Sequence, residues 1–443
     1  MAPACGIDFG TSNSAVGIPD GQEPRLVPLQ DDAVSVPTAL FFSFEDDSLC
    51  FGQEAMERFF AQESGRYLRA IKSLLGNKLF EESTLVKRRR VPFADILAAY
   101  LGFLREAAGR RLANPPDSVV MGRPTFFVDD DSAADKKAQA QLEDAARSAG
   151  FENIAFQFEP IAAALDYEQS VTAEQIALVA DIGGGTSDFS LVRVSPERAQ
   201  SSDRRDDILG VSGVHIGGTD FDKHLAIEGV MPALGYGSPL LRPGLKAPSW
   251  YFHDLATWHR IPFLYDPKLM TEVKGVVRDA REPEKIKRLL SILQQRRGHA
   301  LLAAVEAAKI ELSTADQATL EMRDCPDDLT LVISQDHLNR GAEAAGVARI
   351  SADIGDLLRR TGVKADAVSA VFLTGGATKM PLVRQAIAAA LPEAISERRM
   401  VSGDLFGSVA KGLALDAARR FGPTALARQG AGPVLSQTQG SLP

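Results

Sequence analysis

Two short segments that combine aspartate, glycine and hydroxyl residues are the part of the sequence best suited to chemistry. Residues 8–14 read DFGTSNS and residues 181–188 read DIGGGTSD. Glycine lets backbone N–H groups approach a ligand without a Cβ atom in the way, and several N–H groups that point the same way bind an anion such as a phosphate. Thr11, Ser12 and Thr186 would add hydroxyl donors. The repeated pattern therefore predicts two phosphate-binding turns.

Asp8 and Asp181 stand at the ends of the apolar stretches that lead into these turns. Mg²⁺ prefers carboxylate oxygens and keeps several of its waters, so we expect the two aspartates to hold a magnesium ion through water. The alternative is a pair of ordinary hairpin turns in which Asp and Gly serve only the turn geometry. One copy alone would favour that alternative, whereas the second copy, with its three consecutive glycines, favours binding.

Two further groups of residues suit a nucleoside. Residues 370–377 (AVFLTGGA) form a strand pattern that ends in paired glycines, which would allow a flat ribose or base to approach closely. Glu306, Lys309 and Ser313 fall on one face of a helix. Taken alone, the first group would be a tight loop and the second a solvated surface.

The elements that must position these residues alternate between short apolar runs and Ala- and Leu-rich helical stretches. The predicted strands are residues 5–9, 118–121, 176–182, 189–194 and 370–374, and the predicted helices are residues 93–111, 135–149, 298–312 and 381–391. This alternation is typical of an α/β fold with mixed sheets. The two acidic turns lie about 170 residues apart, which indicates two related halves that each offer one turn to a shared cleft.

Composition argues against several classes of function. The 443 residues contain 49 Lys and Arg against 58 Asp and Glu, and a net charge of −9 argues against a protein that coats nucleic acid or anionic lipid. No apolar run approaches the ~20 residues that a membrane span needs. The scattered Cys5, Cys50 and Cys325 fit a reducing, cytoplasmic location. The cysteines and histidines show no metal-binding spacing, and neither a GxxxxGK(S/T) phosphate loop nor a GxSxG motif is present.

Four other segments carry weaker signals. We expect the polar residues 196–207 to form a surface loop and the basic residues 87–90 to form a solvated turn. Residues 232–285, rich in Pro, Gly and aromatic residues, indicate an insertion that provides either a partner surface or additional core. The composition of residues 419–443 predicts a disordered tail.

Five motifs, in order, resemble the nucleotide-binding domain of DnaK-type heat-shock chaperones, in the actin-like ATPase superfamily. They are residues 6–14, 158–164, 181–188, 217–222 and 373–381, and the likeness extends over residues 4–418. The closer likeness is to the YegD-like short branch, through MGRP at 121–124 and DAREPEK at 279–285. The resemblance implies an actin-like ATPase fold: two duplicated lobes, each with a mixed five-stranded sheet flanked by helices, around a central nucleotide cleft. Lobe I would cover about 1–175 and lobe II about 176–418.

The resemblance implies ATP or ADP with Mg²⁺ as ligands and gives each motif a role. The implied catalytic residues are Lys72, Glu159, Asp181 and Thr186. Lys72 would position the γ-phosphate and the attacking water, Glu159 would help to orient that water, and Asp8 and Asp181 would surround the magnesium ion. The implied nucleotide contacts are Gly10, Thr11, Ser12, Asn13, Gly183, Gly184, Gly185, Gly217, Gly218, Glu306, Lys309, Ser313, Gly375, Gly376 and Ala377. On the residues alone, Lys72 is a surface charge and Glu159 a strand end.

The expected function is slow, Mg²⁺-dependent hydrolysis of ATP to ADP and phosphate by a chaperone-like protein. The expected partners are the nucleotide and an unidentified client or co-chaperone, with no nucleic acid and no membrane. Two other classes stay open. One is a small-molecule kinase of the same superfamily, although no sugar-kinase signature nominates an acceptor site. The other is a scaffold that holds ATP with little turnover, which would not require Lys72 and Glu159.

Three features depart from the family pattern. Ile310 stands where the family has an arginine that stacks on adenine, which predicts weaker or less adenine-selective binding. Ala377 replaces a serine and so removes one hydroxyl donor. The chain ends 31 residues after Gly412, which is too short for the family's β-sandwich peptide-binding domain and helical lid. We therefore expect any action on a client to proceed without them.

Overall fold

The computed structural model describes residues 3–20, 23–112, 114–128, 131–168, 171–201, 203–323, 327–392, 400–401 and 407–422. These residues form two compact units. The first contains the described residues up to 175, those of 192–208 and those after 405. The second contains residues 176–191 and the described residues of 209–405. Most of the predicted tail, from residue 423 onward, lies outside the described residues.

The strands are β1 (Ala4–Phe9), β2 (Asn13–Ile18), β3 (Arg25–Leu26), β4 (Ser35–Pro37), β5 (Ala39–Ser43), β6 (Leu49–Phe51), β7 (Gly65–Arg69), β8 (Ser83–Val86), β9 (Arg89–Pro92), β10 (Ser118–Arg123), β11 (Asn153–Phe158), β12 (Gln175–Ile182), β13 (Ser187–Val194), β14 (Ile208–Val214), β15 (Gln317–Met322), β16 (Leu329–Ser334), β17 (Val368–Thr374) and β18 (Met400–Val401). The α-helices are α1 (Gly52–Phe60), α2 (Phe93–Leu112), α3 (Ser132–Ser148), α4 (Glu159–Glu168), α5 (Gly218–Leu225), α6 (Trp250–Leu255), α7 (Pro267–Asp279), α8 (Pro283–Gln294), α9 (Gly298–Leu312), α10 (Gln335–Ala345), α11 (Ala348–Thr361), α12 (Pro381–Ala388) and α13 (Ser408–Phe421).

The two large sheets have the same strand order. One is ordered β11-β10-β1-β2-β3, with β4 paired to β2, and the other is ordered β18-β17-β12-β13-β14. β1 runs antiparallel to β2 and parallel to β10, and β12 runs parallel to β17. The short turn between β12 and β13 requires that pair to be antiparallel. This correspondence confirms an α/β fold with two related halves and mixed sheets, the first sheet carrying β4 as a sixth strand.

The core of the first unit is formed by its sheet together with α2 and α3. Phe9 of β1 and Tyr100 of α2 are fully buried, with ring centroids 5.9 Å apart. All of β10 is buried, as expected of a strand with parallel neighbours on both sides. Helix α13 packs on α4, where Gly412 lies so close to the Ala162 carbonyl oxygen that a Cβ would overlap with it. The first unit therefore includes α13, whose last residues extend into the segment predicted as a tail.

Residues 196–207 join β13 to β14 and expose Pro196, Glu197, Asp203, Arg205 and Asp206, as predicted for a surface loop, but two of their charged side chains are buried. Arg204 and Asp207 are buried, with 2% and 0% exposure. The Arg204 guanidinium donates to both carboxylate oxygens of Glu168 in α4, at 2.8 and 2.7 Å, and also pairs with Asp207. Arg198 reaches the other oxygen of Asp207 at 2.9 Å. Composition does not show which charges find buried partners, and here the ion pairs bind the loop to the end of α4.

The predicted insertion, residues 232–285, contains α6, α7 and the start of α8. Tyr251 and Phe252 are buried in the core of the second unit. Trp250 and Phe263 instead expose 46% and 67% of their surface. The segment therefore provides both core and exposed aromatic surface.

Residues 87–90 are exposed around the β8–β9 turn, as their composition predicts. Across the part of the chain that the structure describes, no helix combines the length and the apolar character needed to cross a membrane.

Candidate functional site

The first acidic turn joins β1 to β2 and is fixed by Thr38. Gly10 lies so close to the carbonyl oxygen of Asn13 that a Cβ could not be accommodated. The Thr38 hydroxyl donates to the Gly10 carbonyl oxygen at 2.7 Å, and the Thr38 N–H donates to that of Ser12 at 2.8 Å. The Ser14 hydroxyl lies 2.8 Å from the Thr38 hydroxyl. Because Thr38 binds two of its carbonyl groups, the turn is held in one conformation.

Thr38 also supports the segment that carries Lys72. The Ala70 N–H donates to the Thr38 carbonyl oxygen at 3.2 Å. Ala70 has a φ of 57° and a ψ of 36°, a left-handed conformation that a residue with a side chain rarely adopts. The 3₁₀ turn Ile71–Leu74 follows, with Ile71 buried. A strained backbone conformation persists only where many surrounding contacts hold it. The conformation of Ala70 sets the direction of the chain that carries the Lys72 side chain.

Lys72 forms an ion pair with Glu159, at 2.7 Å between Nζ and Oε1. Their side chains are only 10% and 16% exposed. Glu159 is the first residue of α4, where the helix dipole stabilises a carboxylate. A Cβ on Gly122 would lie 3.2 Å from the Cγ atom of Glu159, so β10 packs closely against this side chain. The structure thus joins two residues that, taken separately in the sequence, suggested a surface charge and a strand end.

The second acidic turn joins β12 to β13 and rests on the start of α5. The Gly183 N–H donates to the Thr186 carbonyl oxygen at 2.9 Å and closes the turn. The N–H groups of Gly218 and Thr219 donate to the carbonyl oxygens of Gly183 and Gly184, at 2.9 and 2.7 Å. The start of α5 therefore holds the turn by its carbonyl groups.

Gly217 permits this close approach. A Cβ at Gly217 would lie 2.6 Å from the Gly184 carbonyl oxygen and from the Gly185 nitrogen. The Thr186 hydroxyl donates to Oδ2 of Asp188 at 2.8 Å, so it is already engaged within the hairpin. In this structure Gly217 and Gly218 support the turn, and Gly183 to Gly185 form it.

Lys309 fixes α9 to the same place. Its Nζ lies 2.8 Å from the Asp222 carboxylate and donates to the Gly218 carbonyl oxygen at 3.3 Å. Lys309 is 7% exposed, whereas Glu306, one turn earlier on α9, is exposed. The Ser313 hydroxyl donates to the Lys309 carbonyl oxygen at 3.1 Å. Glu306 and Lys309 thus lie in α9, and Ser313 caps its C-terminal end. Lys309 connects this helix to the glycine turn through α5.

The third glycine segment ends beside the second acidic turn. Parallel pairing of β12 and β17 places Thr374 next to Asp181. Gly375 follows with a φ of +80°, and a Cβ there would lie 2.9 Å from the Asp181 Oδ1 atom. The Thr378 hydroxyl donates to the Gly375 carbonyl oxygen at 2.6 Å. The paired glycines and the acidic turn therefore share one edge of the second sheet.

Only dispersed carboxylates are available to a metal ion at these turns. No group of three or more His, Cys, Asp or Glu side chains could hold a metal ion among the residues that the structure describes. Asp8 and Asp181 are half-buried at the ends of β1 and β12. Single carboxylates fit Mg²⁺, which binds to few protein groups, keeps waters and takes other oxygens from phosphates. They do not fit a zinc site with a full set of protein ligands.

The pKa values of Tyr100, Cys5 and Cys50 in the first unit are raised, which favours their neutral forms. Burial raises the pKa of Tyr100 to about 12, so its neutral hydroxyl donates to the carbonyl oxygen of Pro37, next to Thr38, at 3.1 Å. Burial also raises the pKa of the Cys5 thiol well above its usual range. Burial, followed by a hydrogen bond to Glu54, raises the pKa of the Cys50 thiol. Neither thiol is suited to act as a nucleophile, which requires the thiolate.

Comparison with known proteins decides the family. The chain matches the sequence model described as Hsp70 protein over residues 4–229 and 276–423, across the nucleotide-binding region. The chain belongs to the Hsp70 family. The unmatched stretch, residues 230–275, lies almost entirely within the segment predicted as an insertion.

Two curated Hsp70 relatives are chaperones by name. The chain is 26% identical over 417 residues to "Chaperone protein dnaK" of Cyanidioschyzon merolae, a match that covers 87% of this chain and 57% of the relative. It is 24% identical over 417 residues to "Chaperone protein DnaK" of Trichormus variabilis, covering 87% of this chain and 51% of the relative. The chain therefore spans about half the length of the curated relatives it matches. Family membership confirms the actin-like ATPase fold, while the likeness to the YegD-like branch in particular stays a prediction.

Within each unit, the structure brings together many of the residues that the Hsp70 resemblance implies. The first unit joins the 10–13 turn, Lys72 and Glu159, and the second joins Asp181, the 183–186 turn and the paired glycines. Sequence reasoning missed three supporting residues: Thr38, Thr219 and Asp222. Thr219 and Asp222 lie within the 217–222 motif, so a signal existed for them. No local pattern marks Thr38, because its role depends on contacts with segments far away in the chain.

Proposed function

We propose that this Hsp70-family chain binds Mg²⁺-ATP and hydrolyses it slowly to ADP and phosphate. The observation that carries the proposal is the shielded ion pair between Lys72 and Glu159, 2.7 Å long. A protein that only binds a nucleotide has no need of such a pair. Family membership supports the proposal, because Hsp70 family members are ATPases.

In this proposal both acidic turns bind the phosphates of one nucleotide. Phosphoryl transfer needs positioning and charge neutralisation more than covalent help. Lys72 neutralises charge at the γ-phosphate, and Glu159 holds Lys72 and orients the attacking water. Asp181 and Thr186 act at the second turn, where the Thr186 hydroxyl must turn from Asp188 to donate to a phosphate. Asp8 and Asp181 hold the waters of Mg²⁺, which when bound neutralises phosphate charge.

We further propose that the adenosine part contacts α9 and the paired glycines. Glu306 and Ser313 offer polar groups to the ribose and base, while Lys309 fixes the helix through Asp222. A Cβ at Gly375 would overlap with the Ile182 carbonyl oxygen, so glycine is required for this segment to pack against the second acidic turn. In this proposal the flat group lies against the backbone of the paired glycines, which carry no side chain. In the same stretch of α9, Ile310 exposes 59% of its surface.

Replacing Ile310 with arginine should strengthen ATP binding about two- to fivefold. A guanidinium over an aromatic face contributes about 0.5–1 kcal/mol at an exposed site, whereas Ile310 offers only apolar contact. The measurement is the Kd of Mg²⁺-ATP by calorimetry, repeated with Mg²⁺-GTP to detect a gain in adenine selectivity.

The matched control for this change is Val332→Arg, which adds the same charge at a residue that is 57% exposed on β16. A general attraction of the added charge for the nucleotide would strengthen binding in both variants alike. An unchanged Kd in Ile310→Arg, or equal gains in the two variants, would contradict a base site at α9.

Steady-state phosphate release with Mg²⁺-ATP tests the proposed function. Slow release of phosphate into water above the rate of a protein-free blank is the expected result. Release no faster than the blank, with binding intact, would identify an ATP-holding scaffold instead. Phosphate transferred to an added alcohol acceptor would identify a kinase.

We propose a chaperone-type role for this activity, in which hydrolysis changes the contacts that partners recognise. The family supports this role because chaperone-type ATPases define it. The client, any co-chaperone and the cytoplasmic location stay predictions.

A further inference from the structure

We propose that Arg123 is a positioning residue that holds the Lys72–Glu159 pair in place through the Phe158 ring and helix α3. Arg123 lies in the MGRP segment, to which the proposed function assigns no role. The inference rests on the proposed function for its effect on catalysis, but its effect on the ion pair can be measured without any catalysis.

Arg123 is a buried cation with many partners. It ends β10, is 6% exposed and donates to both carboxylate oxygens of Asp135 in α3, at 3.0 and 2.9 Å. It also donates to Gln139, one turn further along α3. Asp135 in turn accepts the Phe127 N–H at 2.7 Å. Arg123 thereby joins the end of β10, the loop that follows it and the first two turns of α3.

The guanidinium of Arg123 also stacks on the residue that precedes Glu159. Parallel pairing of β10 with β11 places Arg123 beside Phe158, and the guanidinium carbon lies 5.2 Å from the Phe158 ring centroid. The Arg205 guanidinium lies 5.9 Å from the same ring. Phe158 is the last residue of β11 and Glu159 the first of α4. A change in the position of the ring therefore moves the backbone that carries the carboxylate.

The lysine side of the pair rests on the same helix. Gly76, four residues after Lys72, donates its N–H to the Gln141 side chain in α3 at 2.8 Å. A Cβ on Gly76 would lie 2.8 Å from Val128 and 2.9 Å from the Ala134 carbonyl oxygen. Helix α3 thus supports both residues of the ion pair. It supports the segment of Glu159 through Arg123 and the segment of Lys72 through Gly76.

Arg123 can affect the reaction although it does not contact the reacting groups. It touches neither Lys72 nor Glu159 in the contacts given above, yet it fixes the element that supports each of them. A displacement of about 1 Å caused by a distant substitution can lower a rate about 100-fold. Substrate binding depends on the glycine turns, so KM should change much less than kcat.

The test compares Arg123→Gln with wild type by two readouts. The first is the rate at which an amine-reactive reagent labels Lys72, followed by mass spectrometry and divided by the rate at Lys309. Lys309 is a similarly shielded lysine, paired with Asp222 in the second unit. The second readout is kcat and KM for phosphate release. We expect the labelling ratio to rise and kcat to fall about tenfold to 100-fold, with KM little changed.

Arg105→Gln is the matched control. The Arg105 guanidinium lies 5.6 Å from the Phe151 ring centroid and 3.4 Å from Asp117, so the variant also removes a stacked cation and an ion pair. None of these contacts involves Phe158 or α4. We expect the wild-type labelling ratio and kcat. Equal effects of Arg105→Gln and Arg123→Gln would overturn the proposal, because any loss of a stacked arginine would then suffice.

Arg123→Lys is included because Arg123→Gln removes the partner of Asp135 and can prevent folding. The lysine keeps the charge but loses the planar stack and the paired hydrogen bonds, so an intermediate labelling ratio is expected. A wild-type ratio in both variants, or in Arg123→Lys if the glutamine variant does not fold, overturns the proposal. The wild-type protein could release no phosphate while the Arg123 variants still show a raised labelling ratio. That result would support Arg123 as a positioning residue and overturn only the proposed ATPase.

Discussion

Replacing Lys72 with alanine should lower kcat for phosphate release by about 100- to 1000-fold, the loss observed when one transition-state donor is removed. The Lys72 side chain is 10% exposed, and its ammonium group is held by the ion pair with Glu159. In Lys72→Ala the alanine supplies no cation to take the place of the ammonium group in that pair. Binding of Mg²⁺-ATP should change little, because the glycine turns hold the phosphates. The measurements are single-turnover phosphate release and calorimetric Kd.

Two comparisons make this prediction sharper. Lys137→Ala removes a lysine of the same unit whose ion pair with Glu81 is 41% and 60% exposed, and it should leave kcat unchanged. Glu159→Gln should impair kcat, and the double variant with Lys72→Ala should be no slower than the worse single variant, because residues that act as a unit are not additive. Wild-type kcat in Lys72→Ala would remove the observation on which the ATPase proposal depends.

Replacing Arg204 with methionine should lower the free energy of unfolding of the first unit by about 3–5 kcal/mol, because it leaves buried carboxylates without their cation. Glu168 and Arg204 are each 1% exposed in their side chains, and Asp207 is 0% exposed. Glu168 also accepts the Ser195 N–H at 3.0 Å, just after the end of β13. Loss of the Arg204 cation should therefore destabilise the end of β13 as well. Urea unfolding followed by circular dichroism measures the change.

The control for Arg204 is an exposed arginine with the same partner type. Arg147→Met removes an ion pair with Glu143 whose side chains are 52% and 35% exposed, and its cost should stay below about 1 kcal/mol. An equal decrease in the free energy of unfolding in the two variants would contradict the prediction, because burial of the Arg204 ion pairs would then add nothing to stability.

Patterns of apolar residues predicted most of the elements that hold the site. The predicted helix 298–312 coincides with α9, and the strand prediction 5–9 differs from β1 by one residue. Periodicity works here because each element buries one face against a single core. Helices α7 and α8 were missed, although each begins with a proline at its first position and Asp266 caps α7. The richness of Pro and Gly around them obscured that signal.

Local patterns could not supply the contacts that fix the site. Thr38 binds the 10–12 turn and also Ala70, segments that lie 28 and 32 positions away in opposite directions. The left-handed conformation of Ala70 has no sequence signal, since alanine favours helix. The family resemblance implied a role for Lys72 and another for Glu159, but their pairing was not predicted. Long-range packing decides all three features, and composition does not encode it.

Hydrogen exchange on titration with Mg²⁺-ATP tests the central claim, that both acidic turns bind one nucleotide. Amide groups that donate to phosphates exchange more slowly, so peptides covering 8–14 and 181–188 should gain protection together, with one common Kd. The β15–β16 hairpin serves as the internal reference and should not change. Protection of one turn alone, two different Kd values, or no protection at saturating nucleotide would contradict the account.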